Sequence, residues 1–262
     1  MAKQAEFNGL RAKMYEVAIK ENSQSRKQDL NAMYGLLAPQ KGERILGIGE
    51  GNGFFVKSIA DAVGAKGEYL VTDPSKDQLE NLVKRVDVNQ IKTQVAGAEA
   101  INVLPQSYDK VWGFGCYHHC PNQVGGMKQI YNALKPTGKV VICDVFQGSK
   151  LAEHFDSQVA KYCVTGHEVK FLSDAFAKSI CTLAGFDESK VQITDLHQKW
   201  VYDSEYDLGR FIYNLHAMVN LPGSESEKIQ QTLEGCKRIL GVEKVNGKYE
   251  LNWPMKALIA TK

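Results

Sequence analysis

The stretch Gly47-Ile48-Gly49-Glu50-Gly51-Asn52-Gly53 decides the fold, because it joins a short apolar run to the start of a helical one. Glycine at every second position lets the backbone turn tightly and approach a ligand closely. The following helix offers free N–H groups and a positive dipole end. A dinucleotide fingerprint needs its third glycine three residues after the second, and neither register of this loop provides one. The loop therefore predicts a cradle for another ligand, with a tight turn that binds nothing as the alternative.

The region around this loop, residues 30–138, alternates short β-branched runs with helical periodicity. This alternation is typical of a parallel sheet covered by helices. The predicted strands are 44–48, 68–72, 93–96, 110–114 and 139–143. The predicted helices are 53–63, 76–86 and 123–134. We therefore expect an α/β protein with a Rossmann-like, doubly wound sheet.

The segments outside this region are predicted to be mainly helical. Residues 1–40 form a predicted N-terminal helical cap, and residues 41–262 form the main domain, with helical lid inserts at about 147–165 and 200–240. The other predicted elements are a helix at 172–185 and strands at 191–194 and 255–260. The inserts would close over a pocket lined by their aromatic side chains: Phe155, Tyr162, Tyr202, Tyr206, Phe211 and Tyr213. The alternative for each of these residues is that it fills a small helical core.

The composition excludes several classes of protein. Lys and Arg number 32 against 30 Asp and Glu, so the formal charge is +2, which argues against a nucleic-acid or membrane-surface binder. No run of 18 apolar residues occurs, and the N-terminal residues lack the apolar core of a signal peptide. The 6 cysteines are too scattered for a disulfide scaffold. We expect a cytoplasmic protein with a small-molecule substrate and no nucleic-acid or membrane partner, and we leave a homodimer open.

Asp73 ends the second predicted strand, 22 positions after Gly51. A carboxylate at this place can accept hydrogen bonds from both hydroxyls of a ribose that lies across the strand tips. The alternative is that Asp73 caps the predicted helix at 76–86, a role that aspartate performs well. Ser75 is available as the cap instead, so the pattern favours the ribose role.

These features resemble the class I S-adenosylmethionine-dependent methyltransferases. The resemblance covers about residues 40–146 and depends on segments that follow the family's order: the loop at 47–53, Asp73, Ala96-Gly97-Ala98-Glu99, Tyr108-Asp109-Lys110-Val111, His118-His119 and Leu134-Lys135-Pro136-Thr137-Gly138. It implies a seven-stranded mixed sheet whose last strand is antiparallel. It also implies that S-adenosylmethionine binds across the carboxyl ends of the first four strands.

The resemblance further implies a set of cofactor-binding residues, which are Gly49, Glu50, Gly51, Gly53, Asp73, Pro74, Ala98, Glu99 and Gly115. The three loop glycines would pass under the methionine and ribose portions, Asp73 would hold the ribose hydroxyls, and Pro74 and Ala98 would flank the adenine. The chain departs from the family at two positions, since Gly47 and Gly97 stand where the family has acidic residues. Glu50 and Glu99 are the nearby carboxylates that would compensate.

The segment Cys116-Tyr117-His118-His119-Cys120 follows the fourth predicted strand and carries the catalytic candidates. An imidazole is a suitable general base at neutral pH, so His118 or His119 would take a proton from the substrate's nucleophile. A structural histidine is the alternative. Four zinc ligands within five consecutive residues cannot readily surround one ion, so we expect no metal. Tyr15, in the N-terminal cap, is a third candidate that would position the methyl group.

The sequence therefore predicts methyl transfer from S-adenosylmethionine to a small, apolar or aromatic molecule. The reaction would be an in-line displacement in a lidded pocket, for which the protein supplies alignment and exclusion of water. Two alternatives stay open. The same fold would serve other S-adenosylmethionine chemistry or a binding module without turnover, and a nucleotide-linked oxidoreductase is the third possibility.

Overall fold

The computed structural model describes residues 6–86 and 91–262, so residues 1–5 of the predicted cap lie outside the described part. The helices are α1 (Gly9–Glu21), α2 (Lys27–Leu37), α3 (Val56–Val63), α4 (Lys76–Arg85), α5 (Gln123–Ala133), α6 (Lys150–His154), α7 (Ala160–Tyr162), α8 (Asp174–Ala184), α9 (Glu205–Leu215) and α10 (Glu225–Ile239), with a π-helix at Phe155–Val159. The strands are β1 (Arg44–Ile48), β2 (Glu68–Asp73), β3 (Ile91–Val95), β4 (Tyr108–Phe114), β5 (Leu134–Asp144), β6 (Val191–Tyr202), β7 (Val242–Val245) and β8 (Lys248–Thr261).

The strands form one mixed sheet in the order β3-β2-β1-β4-β5-β8-β6, and β7 pairs with β8. Strands β1 to β5 pair in parallel, while β8 runs antiparallel to β5. The α/β class, the Rossmann-like sheet and the antiparallel last strand are confirmed. The described part of the chain has eight strands, so the expected number of seven was wrong by one.

The additional strand is β7, which forms a hairpin with the start of β8. Its turn is Asn246-Gly247, and both residues have positive φ, 49° and 79°. Asn-Gly favours the type I′ turn, which needs positive φ at both positions and matches the twist of the flanking strands. The signal for this hairpin was therefore present in the sequence.

Most predicted elements of the parallel sheet region agree with the structure to within a few residues. Strand β1 has the predicted bounds, whereas α3 begins at Val56 instead of residue 53. The helix starts late because residues 51–55 form turns, in which the Gly53 N–H donates to the Glu50 carbonyl at 2.9 Å. Helix α8 ends before Gly185, whose φ of 117° lies in the left-handed region that glycine favours.

The chain divides into two compact units. Unit 1 comprises Met1–Ala32, Gln147–Glu168 and Leu196–Met255, and unit 2 comprises Met33–Phe146, Val169–Asp195 and Lys256–Lys262. Unit 2 contains the parallel strands and the glycine loop. Strands β6 and β8 contribute residues to both units, which explains why they are much longer than the sequence predicted. Within the described ranges, no helix is long and apolar enough to cross a membrane.

The core of unit 1 is rich in aromatic side chains. Trp200 stacks on Trp253 with ring centroids 3.8 Å apart, and Phe211 packs edge-on against Trp200 at 5.5 Å. Of the aromatic residues predicted to line a pocket, four are buried: Phe155, Tyr202, Phe211 and Tyr213. Tyr206 is 54% exposed. The core-filling alternative accounts for the four buried residues, and a role for them in binding substrate stays a prediction.

Candidate cofactor and catalytic site

The glycine loop follows β1 in unit 2 and has a backbone that other residues rarely adopt. Gly49, Gly51 and Gly53 have φ values of 61°, 55° and 80°. A Cβ atom at Gly49 would collide with the side chain of Cys116, which follows the neighbouring strand β4. The loop is therefore shaped by close backbone approach as well as by its turn, and glycine is required at Gly49 for both reasons.

Asp73 is buried at the end of β2 and faces this loop. Its Oδ2 accepts a hydrogen bond from the Gly51 N–H at 2.9 Å, and its Oδ1 accepts one from the Ser75 N–H at 2.8 Å. Burial raises the pKa of Asp73 to about 6, although these two hydrogen bonds lower it. Among the described residues, no lysine, arginine or histidine forms a salt bridge with Asp73. Ser75 caps α4 by accepting from the Gln78 N–H at 3.2 Å, so Asp73 is not needed as the cap.

Glu50 lies at the middle of the loop and ends a chain of hydrogen bonds. The Trp112 Nε1–H donates to the Tyr69 hydroxyl at 2.7 Å, and the Tyr69 hydroxyl donates to Glu50 Oε1 at 2.5 Å. Tyr69 and Trp112 are fully buried on β2 and β4. Burial, together with the nearby Asp73, raises the pKa of Glu50 to about 8, and the hydrogen bond from Tyr69 opposes this shift.

A second carboxylate, that of Glu99, lies beside Gly97. A Cβ atom at residue 97 would be 2.9 Å from both carboxylate oxygens of Glu99. The thiol of Cys120 donates to Glu99 Oε2 at 3.3 Å. Burial and the negative charge of Glu99 raise the pKa of Cys120 to about 12, so this cysteine is a protonated donor and not a nucleophile.

His118 forms a buried pair with Asp144, the last residue of β5. The ring Nδ1 lies 2.5 Å from Asp144 Oδ1, and the His118 backbone N–H donates to Asp144 Oδ2 at 3.0 Å. The ring of His119 lies 4.2 Å from that of His118 and is less buried. A histidine whose Nδ1 faces a carboxylate has Nε2 oriented as a proton acceptor. The pair therefore has the arrangement of a general base with its orienting acid.

The structure brings most of the predicted site residues into unit 2. All nine cofactor-binding candidates belong to it, as do His118 and His119, while Pro74 is exposed and Gly115 adopts a φ of 59°. Tyr15 belongs to unit 1. There its ring packs edge-on against Phe7 at 5.6 Å, and its hydroxyl forms a hydrogen bond with Arg26.

Sequence reasoning missed three residues of this site: Tyr69, Trp112 and Asp144. Tyr69 and Trp112 fit the pattern of ordinary buried strand residues, so nothing in the sequence distinguishes them. Asp144 had a signal, because it is an acidic residue directly after the buried run of β5, just as Asp73 is for β2. The same reasoning that selected Asp73 selects Asp144.

The chain matches a family model described as a methyltransferase domain, over residues 45–138. The matched range begins in β1 and includes the glycine loop, Asp73, Glu99 and both histidines. Asp144 follows it by six residues and lies on the strand that the range enters.

Curated relatives share this region at modest identity. The arsenite methyltransferase of Halobacterium salinarum is 25% identical over 189 residues, 68% of this chain and 46% of that protein. The demethylmenaquinone methyltransferase of a Geobacillus species is 32% identical over 112 residues, 41% of this chain and 47% of that protein.

Among solved structures, phosphoethanolamine N-methyltransferase 2 of Haemonchus contortus, in complex with phosphomonomethylethanolamine and S-adenosylhomocysteine, is similar with a TM-score of 0.66 and 19% identity. The similarity covers 95% of this chain and 56% of that chain, and it shows a common fold. The chain spans about half the length of these relatives.

Proposed function

We propose that this chain transfers a methyl group from S-adenosylmethionine to a small molecule, since residues 45–138 match a family model described as a methyltransferase domain. The observation that carries the proposal is Asp73. It is a buried carboxylate at the strand tip that faces the glycine loop, and no cationic side chain among the described residues forms a salt bridge with it. Burying a charge is costly unless a partner compensates for it. A ligand with hydroxyl donors would supply that partner.

The residues of unit 2 fit this cofactor. Each oxygen of Asp73 accepts one backbone hydrogen bond and retains a second acceptor position for a ribose hydroxyl. The glycine-rich loop would admit the amino-acid portion, with Glu50 beside it, and Pro74, Ala98 and Glu99 would contact the adenine. When bound, S-adenosylmethionine supplies a methyl group on a positively charged sulfur. The methyl carbon is electrophilic, and the neutral thioether is a good leaving group.

His118 is the residue that we assign as general base. Asp144 accepts a hydrogen bond from Nδ1–H, so Nε2 is the nitrogen that would remove a proton from the acceptor group of the substrate. His119 is assigned the lesser role of positioning the acceptor, and the role of Tyr15 toward the methyl group stays a prediction. Because methyl transfer to sulfur, nitrogen or oxygen is an in-line displacement, the main contributions of the protein are alignment and removal of a proton from the nucleophile.

We propose a small, apolar or aromatic acceptor. The relatives support a small molecule, since the names of three of them refer to arsenite, phosphoethanolamine and demethylmenaquinone. The apolar or aromatic character stays a prediction from the aromatic residues of the segments 147–165 and 200–240.

The test begins with calorimetric titration of the purified protein with S-adenosylmethionine and S-adenosylhomocysteine, followed by turnover assays with quinol, thiol and amine acceptors. We expect binding of both ligands and turnover of at least one apolar acceptor. His118→Asn should lower kcat by about 10²- to 10⁴-fold without changing cofactor affinity, and Asp144→Asn should do the same. Absence of binding by either ligand would overturn the cofactor assignment, and normal turnover by both variants would overturn the base.

A further inference from the structure

Unit 1 buries two polar side chains whose hydrogen-bonding groups are unused. His154, the last residue of α6, is 0% exposed, and Gln198, on β6, is 5% exposed. Neither ring nitrogen of His154 and neither side-chain amide atom of Gln198 has a hydrogen-bond partner among the described residues. Burying a polar group without a hydrogen bond is costly, and native proteins seldom do so. These four atoms therefore point to a ligand that forms hydrogen bonds with them.

His154 and Gln198 lie beside the same pair of stacked indoles. The side chains of a strand alternate between its two faces, so Gln198 shares a face of β6 with Trp200, two residues later. Trp200 stacks on Trp253 of β8. The ring of His154 lies 6.1 Å from that of Trp253, measured between centroids. The unused polar atoms are therefore next to a large aromatic surface.

The backbone is unusual directly after His154. Residues Phe155–Val159 form the π-helix that separates α6 from α7. Short π-helical turns are rare and frequently occur at functional sites. The ring of Phe155, at the start of this turn, contacts three imidazoles at centroid distances of 6.0, 5.1 and 4.9 Å, those of His154, His216 and His167. The irregular helix thus contributes to the same cluster of rings.

The chemistry of this cluster indicates an uncharged ligand. Burial lowers the pKa of His154 to about 4, so its imidazole is neutral at pH 7 and has one donor and one acceptor nitrogen. The carboxamide of Gln198 also contains a donor and an acceptor. Two charged residues beside Trp200, Arg26 and Asp29, pair with each other. A hydroxyl group, which both donates and accepts, fits the unused atoms, and the surrounding rings favour a planar aromatic body.

We propose that this part of unit 1 binds the acceptor substrate, and that the acceptor is an uncharged aromatic molecule whose hydroxyl groups are bound by His154 and Gln198. This inference rests on the proposed function, because it specifies the acceptor of that reaction. Trp253 and Phe155 provide apolar contact, and the two polar side chains provide selectivity. An aromatic molecule without hydroxyl groups leaves their atoms unpaired and therefore binds less well than its size predicts.

The experiment is equilibrium dialysis of the protein at pH 7 with 2,6-dihydroxynaphthalene or with naphthalene, in which the fluorescence of each probe measures the bound fraction. His154→Leu and Gln198→Leu should each lower the preference for the diol over naphthalene by about tenfold, since each removes hydrogen bonds to a hydroxyl group. For an aromatic acceptor that is turned over, both variants should raise KM by about tenfold and leave kcat within about twofold. Their affinity for S-adenosylhomocysteine should not change, because all nine cofactor-binding candidates belong to unit 2.

Urea denaturation provides a second readout. Replacing a buried polar group that has no partner by an apolar one is nearly neutral or stabilising, so neither variant should have a lower urea midpoint than wild type. Gln123→Leu is the matched control, since Gln123 is a buried glutamine of unit 2 whose Nε2 donates to the carbonyls of Tyr117 at 3.2 Å and Lys170 at 2.7 Å. It should lower the midpoint and leave the preference for the diol unchanged.

An unchanged preference in both leucine variants would overturn this inference, because the two side chains would then be structural or bound to water. Absence of diol binding by wild-type protein that binds S-adenosylhomocysteine would also overturn it and would leave the proposed function intact. Failure of the proposed function looks different, because S-adenosylhomocysteine would then not bind the wild-type protein, whatever the result with the diol. Circular dichroism of each variant verifies the fold.

Discussion

Each unit buries an aspartate, and the two aspartates are partnered differently. In unit 1, Asp29 Oδ2 accepts hydrogen bonds from Arg26 Nε at 3.0 Å and from Trp200 Nε1 at 2.8 Å. In unit 2, Asp73 accepts two backbone N–H bonds and has no cationic partner in the described part of the chain. Both residues are buried, since Asp29 is 0% exposed and Asp73 is 6% exposed.

Under the proposed function, this difference separates a structural carboxylate from one that receives a ligand. Asp29 is compensated inside the protein, where its charge is paired with a guanidinium and its second donor is an indole. The ionised form of Asp73 is buried with no counter-charge among the described residues, so we expect it to lower the stability of unit 2. A protein retains such a group when the compensation comes from a bound molecule.

The largest effect is expected where the internal pair is broken. Asp29→Ala leaves Arg26 buried without its partner and should lower the free energy of unfolding by about 3–5 kcal/mol, as measured by urea denaturation. The control is Asp61→Ala, which removes an exposed i,i+4 pair with Lys57 and should cost less than about 0.5 kcal/mol. Equal losses in the two variants would contradict the structural role of the buried pair.

Unit 1 also buries a neutral histidine, His154. Its burial predicts that the stability of the protein depends on pH. Burial lowers the pKa of His154 to about 4. The unfolded chain, with an ordinary pKa near 6.5, then binds a proton that the folded protein does not, so stability is lost as pH falls from about 6.5 to 4. The loss should reach about 3 kcal/mol and should be absent in His154→Leu. Unfolding measured at several pH values checks this, with the exposed His197→Gln as control.

Substitution of Asp73 should have the opposite pattern to substitution of Asp29, with a loss of ligand binding and little change in stability. Asp73→Ala should weaken S-adenosylmethionine binding by about 1.5–3 kcal/mol, since a charge-assisted hydrogen bond to the ligand is lost. Its free energy of unfolding should stay within about 1 kcal/mol of wild type, because a buried charge disappears together with its two hydrogen bonds. Calorimetric titration and urea denaturation measure the two quantities. A large loss of stability with unchanged affinity would show that Asp73 is structural.

The smallest effect is expected at Gly97. A methyl group there displaces the Glu99 carboxylate, so Gly97→Ala should weaken cofactor binding by about 1 kcal/mol. In a Glu99→Ala background the same substitution should have almost no further effect. Gly35→Ala, where no atom lies near the added Cβ, is the control. Additive losses in the double variant would show that the two positions are independent.

The sequence was sufficient to predict the part of the fold that local patterns determine. The bounds of β1, the end of α8 at Gly185 and the capping by Ser75 all follow from hydrophobic runs and from residues with a defined backbone preference. The place of Asp73 at a strand tip was predictable for the same reason. Asp73 follows the glycine loop at the spacing expected for one strand–helix–strand unit, here β1, α3 and β2.

The remainder depends on contacts between residues far apart in sequence. The link from Trp112 through Tyr69 to Glu50 joins β4, β2 and the loop, and each member by itself reads as an ordinary residue of its element. The pairing of His118 with Asp144 depends on the order of β4 and β5 in the sheet. The proposal of His118 over His119 as the base could therefore not be made before the strands were placed.

The position of β8 in the sheet has a consequence for synthesis of the protein. Residues 256–261 pair with β5, although they are made more than a hundred residues after it. Until the ribosome has released them, the β5 edge has no partner on that side, and an open edge is a template for aggregation. The interval between making β5 and making β8 is therefore the time when the nascent chain most needs a chaperone.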